Sequence, residues 1–336
     1  MTSAQGWPLI GHRSAVLRLQ EVVRAERYPS AILILGAPAS GRSTLARVFA
    51  QASFCPNQVN AVPCGLCPTC ERIAHGTHPD VSHWSLARQT IERGANRSGT
   101  LTIETAREIG ASTAFLPRDA RRRFIIIEDA GTFPEVAQQA MLKALEDAPA
   151  YLTFVLIAES TSTLLETILS RCAQIQLLPV PTSEIQQALS SPQAGEIARL
   201  AMGRPGWALA AQADGGVLEE ERKRITAIER WMAKTDRERL LEAYGRGEVF
   251  QRDRQMVLAD LDAVLIIWRD VLLARLGARS LSIDQERASR LLVSEQPDPF
   301  LVLRAIRATE RCSRDLNGNV RPRLALQAMV NQWPIL

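Results

Sequence analysis

Short apolar segments alternate with longer amphipathic ones between Ala31 and about Val180. Apolar runs of about four to eight residues predict buried strands, whereas apolar residues that recur every three or four positions predict helices. The predicted strands are AILILG (31–36), DVSHWSL (80–86), RRFIIIED (122–129), LTFVLIA (152–158) and AQIQLL (173–178). Strands that alternate with helices are typical of a parallel sheet covered on both faces. We therefore predict an α/β fold with a five-stranded parallel sheet for this half of the chain.

The rest of the chain has the periodicity of helices. After Pro181 the strand signals stop, and TSEIQQALSS, QAGEIARLAM and PGWALAAQA predict three short helices that end at the breaker Asp-Gly-Gly. Longer amphipathic helices follow from Val217. We therefore predict three domains: an α/β domain at 1–179, a small helical domain at 180–216 and an all-helical domain at 217–336.

The segment LGAPASGRSTLA (35–46) follows the first predicted strand and opens a helix. It matches the phosphate-loop pattern G-x-x-x-x-G-K-[ST] at Gly36, Gly41 and Ser43, but Arg42 occupies the lysine position. In such a loop, backbone N–H groups bind phosphate oxygens, the lysine reaches the outer phosphates and the hydroxyl holds magnesium. A guanidinium is a broad planar fork, whereas a lysine ammonium is a compact point charge. We therefore expect efficient hydrolysis to be lost even where nucleotide binding survives.

Two acids, Glu128 and Asp129, end the predicted strand FIIIED. In nucleotide hydrolases, two acids at such a strand end serve magnesium and the attacking water, commonly in the order Asp then Glu. Here the order is reversed, and an error of about 1 Å in such positioning can cost about a hundredfold in rate. The alternative is a pair of solvated acids at the end of a strand. Both interpretations weaken the case for an autonomous ATPase.

Four cysteines lie close together in CPNQVNAVPCGLCPTC (55–70): Cys55, Cys64, Cys67 and Cys70. Four thiolates can surround Zn²⁺ tetrahedrally, and the intervening prolines and glycine allow the chain to turn back. Bound zinc would stabilise an insertion too small for its own core, and a site without an open position would be structural. The alternatives are free cysteines or a redox pair. Nearby histidines are interpreted as surface residues rather than ligands: His75, His78 and His83.

The segment ILSRCAQIQL places Ser170, Arg171 and Cys172 between a helix and the last predicted strand. Taken alone, this arginine has the default role of a solvated surface residue. Cys172 is interpreted as a small buried hydrophobic residue. Spacing and composition indicate no more specific role for this segment.

Composition and charge indicate an ordinary globular protein. The 336 residues are 46% hydrophobic and 23% charged, with a net charge of +4. This weak basic excess permits a nucleic-acid partner without indicating one. A basic cluster before the third strand could meet phosphates or form a solvated turn, and no DNA contact is assigned to it: Arg118, Arg121, Arg122 and Arg123.

The chain shows no signal for export or membrane insertion. Its N-terminus, MTSAQGWPLIGHR, lacks a basic segment followed by an apolar one, and apolar runs such as VLIIW are too short to cross a bilayer. We therefore expect a cytoplasmic protein without a membrane partner. In that reducing compartment its cysteines should be ligands or buried thiols.

Together, these motifs resemble those of the bacterial clamp-loader subunits of DNA polymerase III, in the AAA+ superfamily. The resemblance rests on the glycine loop, the cysteine insertion followed by HGTHPDV, the acids before QQAMLKALEDAP, and the Ser-Arg-Cys motif, and it covers most of residues 7–215. It implies an AAA+ domain with a zinc insertion, a small helical lid domain and an all-helical collar domain that holds a ring of subunits together.

Within this family the sequence is most similar to the delta prime subunit. The motor subunits, tau and gamma, have an intact loop lysine and an Asp-Glu pair, whereas delta prime typically has a degraded nucleotide site but keeps the Ser-Arg-Cys arginine. The resemblance implies that Arg171 acts in trans on the ATP and Mg²⁺ of a neighbouring motor. At the position of a second sensor arginine the chain presents Trp207, with Arg204 displaced by about one turn. The implied degenerate nucleotide site consists of Gly36, Gly41, Arg42, Ser43, Thr44, Glu128 and Asp129.

The implied function is that of a stator with little or no ATPase activity of its own in the machine that loads the sliding clamp. Its partners would be the tau or gamma motors, the delta subunit, and indirectly the beta clamp and primer–template DNA. One alternative is an active tau- or gamma-like motor of the same machine. Another is a standalone zinc-containing nucleotide-binding regulator. ATP turnover by the purified chain distinguishes the first two, and substitution of Arg171 in a reconstituted complex tests the third.

Overall fold

The structure is a computed structural model of the chain and describes residues 6–94, 99–278, 281–282, 298–318 and 320–334. The chain divides into two compact units, residues 1–212 and 213–336. The first unit contains the sheet and the short helices predicted after it, and the second is helical in its described part. The predicted domain boundaries at 179/180 and 216/217 stay predictions.

Five parallel strands form the sheet of the first unit in the order β2-β3-β4-β1-β5. Their bounds are β1 Ala31–Leu35, β2 Val81–Trp84, β3 Arg123–Ile127, β4 Leu152–Ala158 and β5 Ala173–Gln176. The predicted strands and the α/β fold are confirmed. The second strand ends earlier than predicted because the Ser85 hydroxyl accepts a hydrogen bond from the Arg88 N–H (3.1 Å) and caps a helix.

The central strands are buried on both faces because successive side chains point to opposite sides of the sheet. Ile32 and Ile34 of β1 belong to one core, whereas Leu33 and Leu35 belong to the other. Helices cover both faces, as predicted. The helices of this unit are α1 Arg13–Arg24, α2 Arg42–Phe54, α3 Pro68–Ala74, α4 Leu86–Arg93, α5 Ile103–Ser112, α6 Glu135–Glu146, α7 Glu166–Leu169, α8 Thr182–Ala188, α9 Ala194–Leu200 and α10 Pro205–Ala213.

The second unit is built from longer helices. Its described helices are α11 Gly215–Met232, α12 Asp236–Val249, α13 Arg254–Arg275, α14 Pro299–Asn317 and α15 Pro322–Val330. Trp333 packs between Trp231 and Trp268, with ring centroids 4.8 and 6.1 Å away. The Arg246 guanidinium lies 4.4 Å from the centre of the Trp231 ring and pairs with the buried Asp260. The core of this unit therefore combines apolar packing with a paired buried charge.

Candidate functional site

The glycine loop joins β1 to α2 and keeps the backbone of a phosphate-binding turn. Ala39 and Gly41 have φ values of 57° and 101°, in the left-handed region. At Gly36 a Cβ would lie 2.9 Å from the Ser40 Oγ, so a larger residue has no room there. No side chain caps the N-terminus of α2, and such a helix end attracts anions. The loop thus retains the shape of an anion cradle.

Arg42 begins α2 and faces acidic side chains of its own chain. It is half-buried. Burial lowers the pKa of its guanidinium, and the negative charges of Glu159, Asp129 and Glu128 oppose that shift, in decreasing order. The position that a phosphate-loop lysine would occupy therefore holds an arginine on which three acidic side chains of the same chain act.

The two acids after β3 have different environments. Burial and the neighbouring Asp129 raise the pKa of Glu128, whereas a hydrogen bond with the Ser43 side chain and the charges of Arg42 and Arg47 oppose the shift. The Ser43 side chain, which would hold magnesium in a working site, therefore lies close enough to Glu128 to affect its pKa. Asp129 has a left-handed backbone (φ 58°), and its Oδ2 accepts a hydrogen bond from the Leu86 N–H at 3.2 Å. Asp129 thus stabilises the turn that leaves β2.

Sequence reasoning missed Glu159. This exposed residue directly follows β4, which lies between β1 and β3 in the sheet. The carboxyl ends of parallel strands meet at one edge of a sheet, so the end of β4 lies beside the loop that follows β1. Of the three acidic side chains that raise the pKa of Arg42, Glu159 has the largest effect. The sequence feature that could have indicated Glu159 is a charged residue immediately after a fully buried strand.

The short helix α10 touches the apex of the loop. The Gly206 N–H donates to the Ala39 carbonyl oxygen at 2.8 Å, and His12 Nε2 lies 2.8 Å from the Ser40 carbonyl oxygen. Trp207 is half-buried in the next position of α10. The Arg204 Nε donates to the Ala201 carbonyl oxygen at 3.0 Å, within the preceding turn. The loop is therefore held by backbone contacts on the side of α10.

Replacing Gly206 with alanine should displace the loop from α10. An added Cβ would lie 2.7 Å from the Ala39 carbonyl oxygen, so one of the two backbones must move. We expect the free energy of unfolding to fall by about 1–3 kcal/mol, measured by urea unfolding of the full chain. Gly195→Ala is the matched control, since its Cβ would meet its nearest neighbour at an ordinary 3.5 Å. Equal stability of the two variants would contradict the close contact.

The four predicted cysteines come together in the insertion between α2 and β2. All four Sγ atoms lie within 4.8 Å of one another. The Cys55 Sγ is 3.5 Å from that of Cys64 and 3.8 Å from that of Cys67. A tetrahedral zinc site with Zn–S bonds of about 2.3 Å has sulfur–sulfur edges of about 3.8 Å. The cluster therefore fits a Zn²⁺ ion, which would hold the two ends of the insertion together.

The chemistry of the donors also fits a metal. Hydrogen bonds from the Leu66 and Cys67 backbones lower the pKa of the Cys64 thiol to about 6, whereas burial raises the pKa values of Cys55 and Cys70. Buried thiols that lie this close together release their protons when a metal supplies the compensating charge.

Two of the three histidines near the insertion, His75 and His78, have hydrogen-bond partners of their own. The prediction that His78 is a surface residue is wrong, because the side chain is buried against Phe54, with ring centroids 5.3 Å apart. Its Nδ1 accepts the Asp80 N–H at 3.1 Å. The Nδ1 of His75 lies 2.8 Å from the Glu71 carbonyl oxygen. Burial lowers the pKa of the half-buried His83. Among the described residues, the candidate metal group consists of the cysteines alone.

Arg171 is exposed just after α7, where the chain turns into β5. Its Nη1 donates to the Thr167 carbonyl oxygen at 2.8 Å, and its Nη2 lies 2.5 Å from the Glu146 Oε1. Cys172 is half-buried beside the core of the sheet, and burial raises the pKa of its thiol to about 11. Arg171 therefore lies at the surface, and its guanidinium is held by two contacts within its own domain.

The basic cluster before β3 is partly used within the fold. Arg123 is buried, and its Nη1 donates to the carbonyl oxygens of Ser112 (2.6 Å) and Phe115 (3.1 Å). The Arg122 guanidinium lies 4.1 Å from the centre of the Tyr28 ring. The Asp80 carboxylate accepts three backbone N–H groups, from residues 118–120, and so shapes the turn that carries the cluster. This pattern favours a structural role for Arg122 and Arg123.

Within the described residues, no helix combines the length and apolar character that crossing a bilayer requires.

Comparison with known proteins identifies the family. The profile of the family described as DNA polymerase III, delta subunit, matches residues 11–181. The chain is 31% identical over 193 residues to DNA polymerase III subunit delta' of Escherichia coli, covering 56% of this chain and 55% of that protein. It is 28% identical over 182 residues to subunit tau/gamma of Haemophilus influenzae, covering 54% and 25%. It is 29% identical over 155 residues to subunit delta' of Pseudomonas aeruginosa, covering 46% and 44%.

These matches span a quarter to about half of the relatives' own lengths. The match to the family profile includes the loop, the cysteine insertion and the Ser-Arg-Cys segment, since all three lie within residues 11–181. The resemblance seen in the motifs is confirmed. The chain belongs to the family described as DNA polymerase III, delta subunit, and is a clamp-loader subunit of the AAA+ superfamily.

Proposed function

We propose that this chain is a delta prime-like stator of the clamp loader, which hydrolyses little or no ATP itself and donates Arg171 to the ATP of a neighbouring motor. The observation that carries the proposal is the state of its own loop. The charges of Glu159, Asp129 and Glu128 act on Arg42, and the Ser43 side chain interacts with Glu128. The cation and the hydroxyl that would serve a nucleotide are therefore both under the influence of acidic side chains of the same chain.

The electrostatics of the loop oppose a magnesium nucleotide. The acidic side chains that interact at the loop are three, Glu159, Asp129 and Glu128. They outnumber the two guanidinium groups that act on Glu128, those of Arg42 and Arg47. A polyphosphate entering this site would share Arg42 with these acids, and like charges at close range disfavour its binding. The glycine loop would then persist as a strand-to-helix turn that supports the fold.

The remaining chemistry would take place at the interface with a motor subunit. In phosphoryl transfer, an arginine supplied by a partner stabilises the negative charge on the transferring oxygens. This role requires an exposed arginine with an ordered side chain. Arg171 is exposed, and its hydrogen bond to the Thr167 carbonyl oxygen supports such order. The motors would be tau or gamma subunits. Together with a delta subunit, the assembly would place the sliding clamp on primer–template DNA, while Zn²⁺ at the cysteine cluster would have a structural role.

ATP turnover by the purified full chain tests the stator proposal. With Mg-ATP we expect a rate at least about a hundredfold below that of a motor subunit, measured as phosphate release. Arg42→Lys alone should not restore turnover, because the acids remain reversed and Glu159 remains in place. A motor subunit assayed in parallel is the positive control. Turnover at the rate of a motor would overturn the proposal.

An active motor is the second candidate function. It is favoured by the similarity to tau and gamma subunits, including 28% identity to the Haemophilus influenzae protein, and by the preserved glycine positions of the loop. The two candidates differ in one measurable quantity, which is phosphate release by the isolated chain.

A further inference from the structure

We propose that Glu146 is the positioning residue for Arg171, and this inference rests on the proposed function. Glu146 is the last residue of α6. Its Oε1 lies 2.5 Å from the Arg171 Nη2, and the two residues are 25 positions apart in the sequence. The contact joins two elements that meet only in the folded sheet domain.

The local electrostatics explain why a carboxylate and a guanidinium meet here. A carboxylate at the C-terminus of a helix is unfavourable, because the negative end of the helix dipole repels it. Glu146 occupies that position in α6. Arg171 follows the C-terminus of α7 and donates to the exposed carbonyl of Thr167. Arg171 thus pairs with a carboxylate at the end of α6 and with a carbonyl oxygen of α7, and the two contacts favour one orientation of its side chain.

The same geometry leaves Arg171 available to a partner. Its side chain is 38% exposed and that of Glu146 is 47% exposed. One Nη donates to the Thr167 carbonyl and the other pairs with the carboxylate, so the fork retains further N–H donors for a phosphate oxygen. A long side chain that is already ordered loses less conformational entropy when it binds. Glu146 would therefore raise the rate in the neighbouring site by pre-ordering Arg171.

The test is ATP hydrolysis by a clamp loader reconstituted with full-length chains. We expect Glu146→Ala to lower kcat at the neighbouring motor site by about threefold to fivefold, the effect of losing one exposed ion pair, with KM unchanged. Glu146→Gln keeps a hydrogen-bond acceptor for Arg171 and should recover most of the rate. Glu135→Ala is the matched control, since Glu135 is an exposed acid at the other end of α6.

Combining the substitutions separates this inference from the proposed function. In the Arg171→Ala background, Glu146→Ala should have no further effect, because the residue it positions is absent. If Arg171→Ala alone leaves hydrolysis unchanged, the proposed function fails. If Arg171→Ala lowers the rate and Glu146→Ala leaves it unchanged or raises it, only the positioning role is overturned. Equal circular dichroism spectra and melting temperatures of the variants would show that folding is not the cause.

Discussion

Replacing Arg171 with alanine should lower ATP hydrolysis at the neighbouring motor site of a reconstituted clamp loader by about 10³- to 10⁵-fold. The arginine would stabilise charge that develops on the transferring phosphate, and water cannot replace a positioned guanidinium in that role. Arg171→Lys should recover only part of the rate, because the ammonium keeps the charge but loses the planar fork. The measurement is single-turnover hydrolysis with labelled ATP. In a complex with several active sites, the steady-state rate of ATP hydrolysis should fall only by the fraction that the affected site contributes to the total rate.

The control for this experiment is another exposed arginine of the same domain. Arg107→Ala, on α5, removes the same charge from an exposed position and should leave the rate unchanged. Size-exclusion chromatography shows whether each variant still assembles. A complex that contains Arg171→Ala, assembles normally and hydrolyses ATP at the wild-type rate would refute the trans-acting role.

Loss of the cysteine cluster should have the largest effect on stability. We expect one Zn²⁺ per purified chain, and Cys67→Ser should abolish stoichiometric zinc. Losing a structural metal site costs on the order of 4 kcal/mol or more, which lowers the melting temperature of a unit of this size by about 8–16 °C. The physical reason is that Zn²⁺ would join four segments of the insertion at one point, whereas only a few of its residues, such as Ala61 and Ile73, pack into the core of the sheet domain. Its described anchors include the hydrogen bonds from the Trp7 Nε1 to the Ala61 carbonyl oxygen and from the Gln51 Nε2 to the Cys70 carbonyl oxygen.

Metal analysis and thermal unfolding together check this prediction. Leu66→Ser is the matched control, since Leu66 lies between two of the cysteines and is 83% exposed; it should keep both the zinc and the melting temperature. Chelation of the wild-type protein should reproduce the lower melting temperature of Cys67→Ser. A wild-type chain that is purified under reducing, chelator-free conditions and contains no zinc would contradict the metal assignment.

Much of this fold could be predicted because its signals are local. The apolar runs of the strands lie within single short segments, and the side chains of β1 contribute to both cores, as expected for a strand with helices on both faces. The same holds for the cysteines, since a metal site with short spacings is visible in sixteen consecutive residues. The resemblance to clamp-loader subunits depended on these local motifs occurring in one order.

Other features of the site depend on residues that are distant in the sequence. Glu159 acts on Arg42 because the strand order places the end of β4 beside the end of β1. The contact between Gly206 and Ala39 likewise requires α10 to return to the loop. Periodicity and spacing describe neighbours along the chain, so these pairings could not be read from them.

The basic cluster before β3 is a second case in which the sequence alone does not show which residues surround a side chain. Its four arginines look alike in the sequence, but the fold buries Arg123 against two carbonyl oxygens and stacks Arg122 on Tyr28. Exposure of a charged residue is decided by which elements pack over it, and a single sequence does not report this packing.

By itself, the sequence determined the α/β class, the loop with its arginine, the cysteine cluster and the place of Arg171, since each depends on residue types at short spacing. Only the tertiary structure decided which groups surround these residues. It placed Glu159 and Glu128 where their charges act on Arg42, and Glu146 beside Arg171. The physical reason is that a charge acts through space on whatever the sheet order and helix packing bring near it, whatever the separation along the chain.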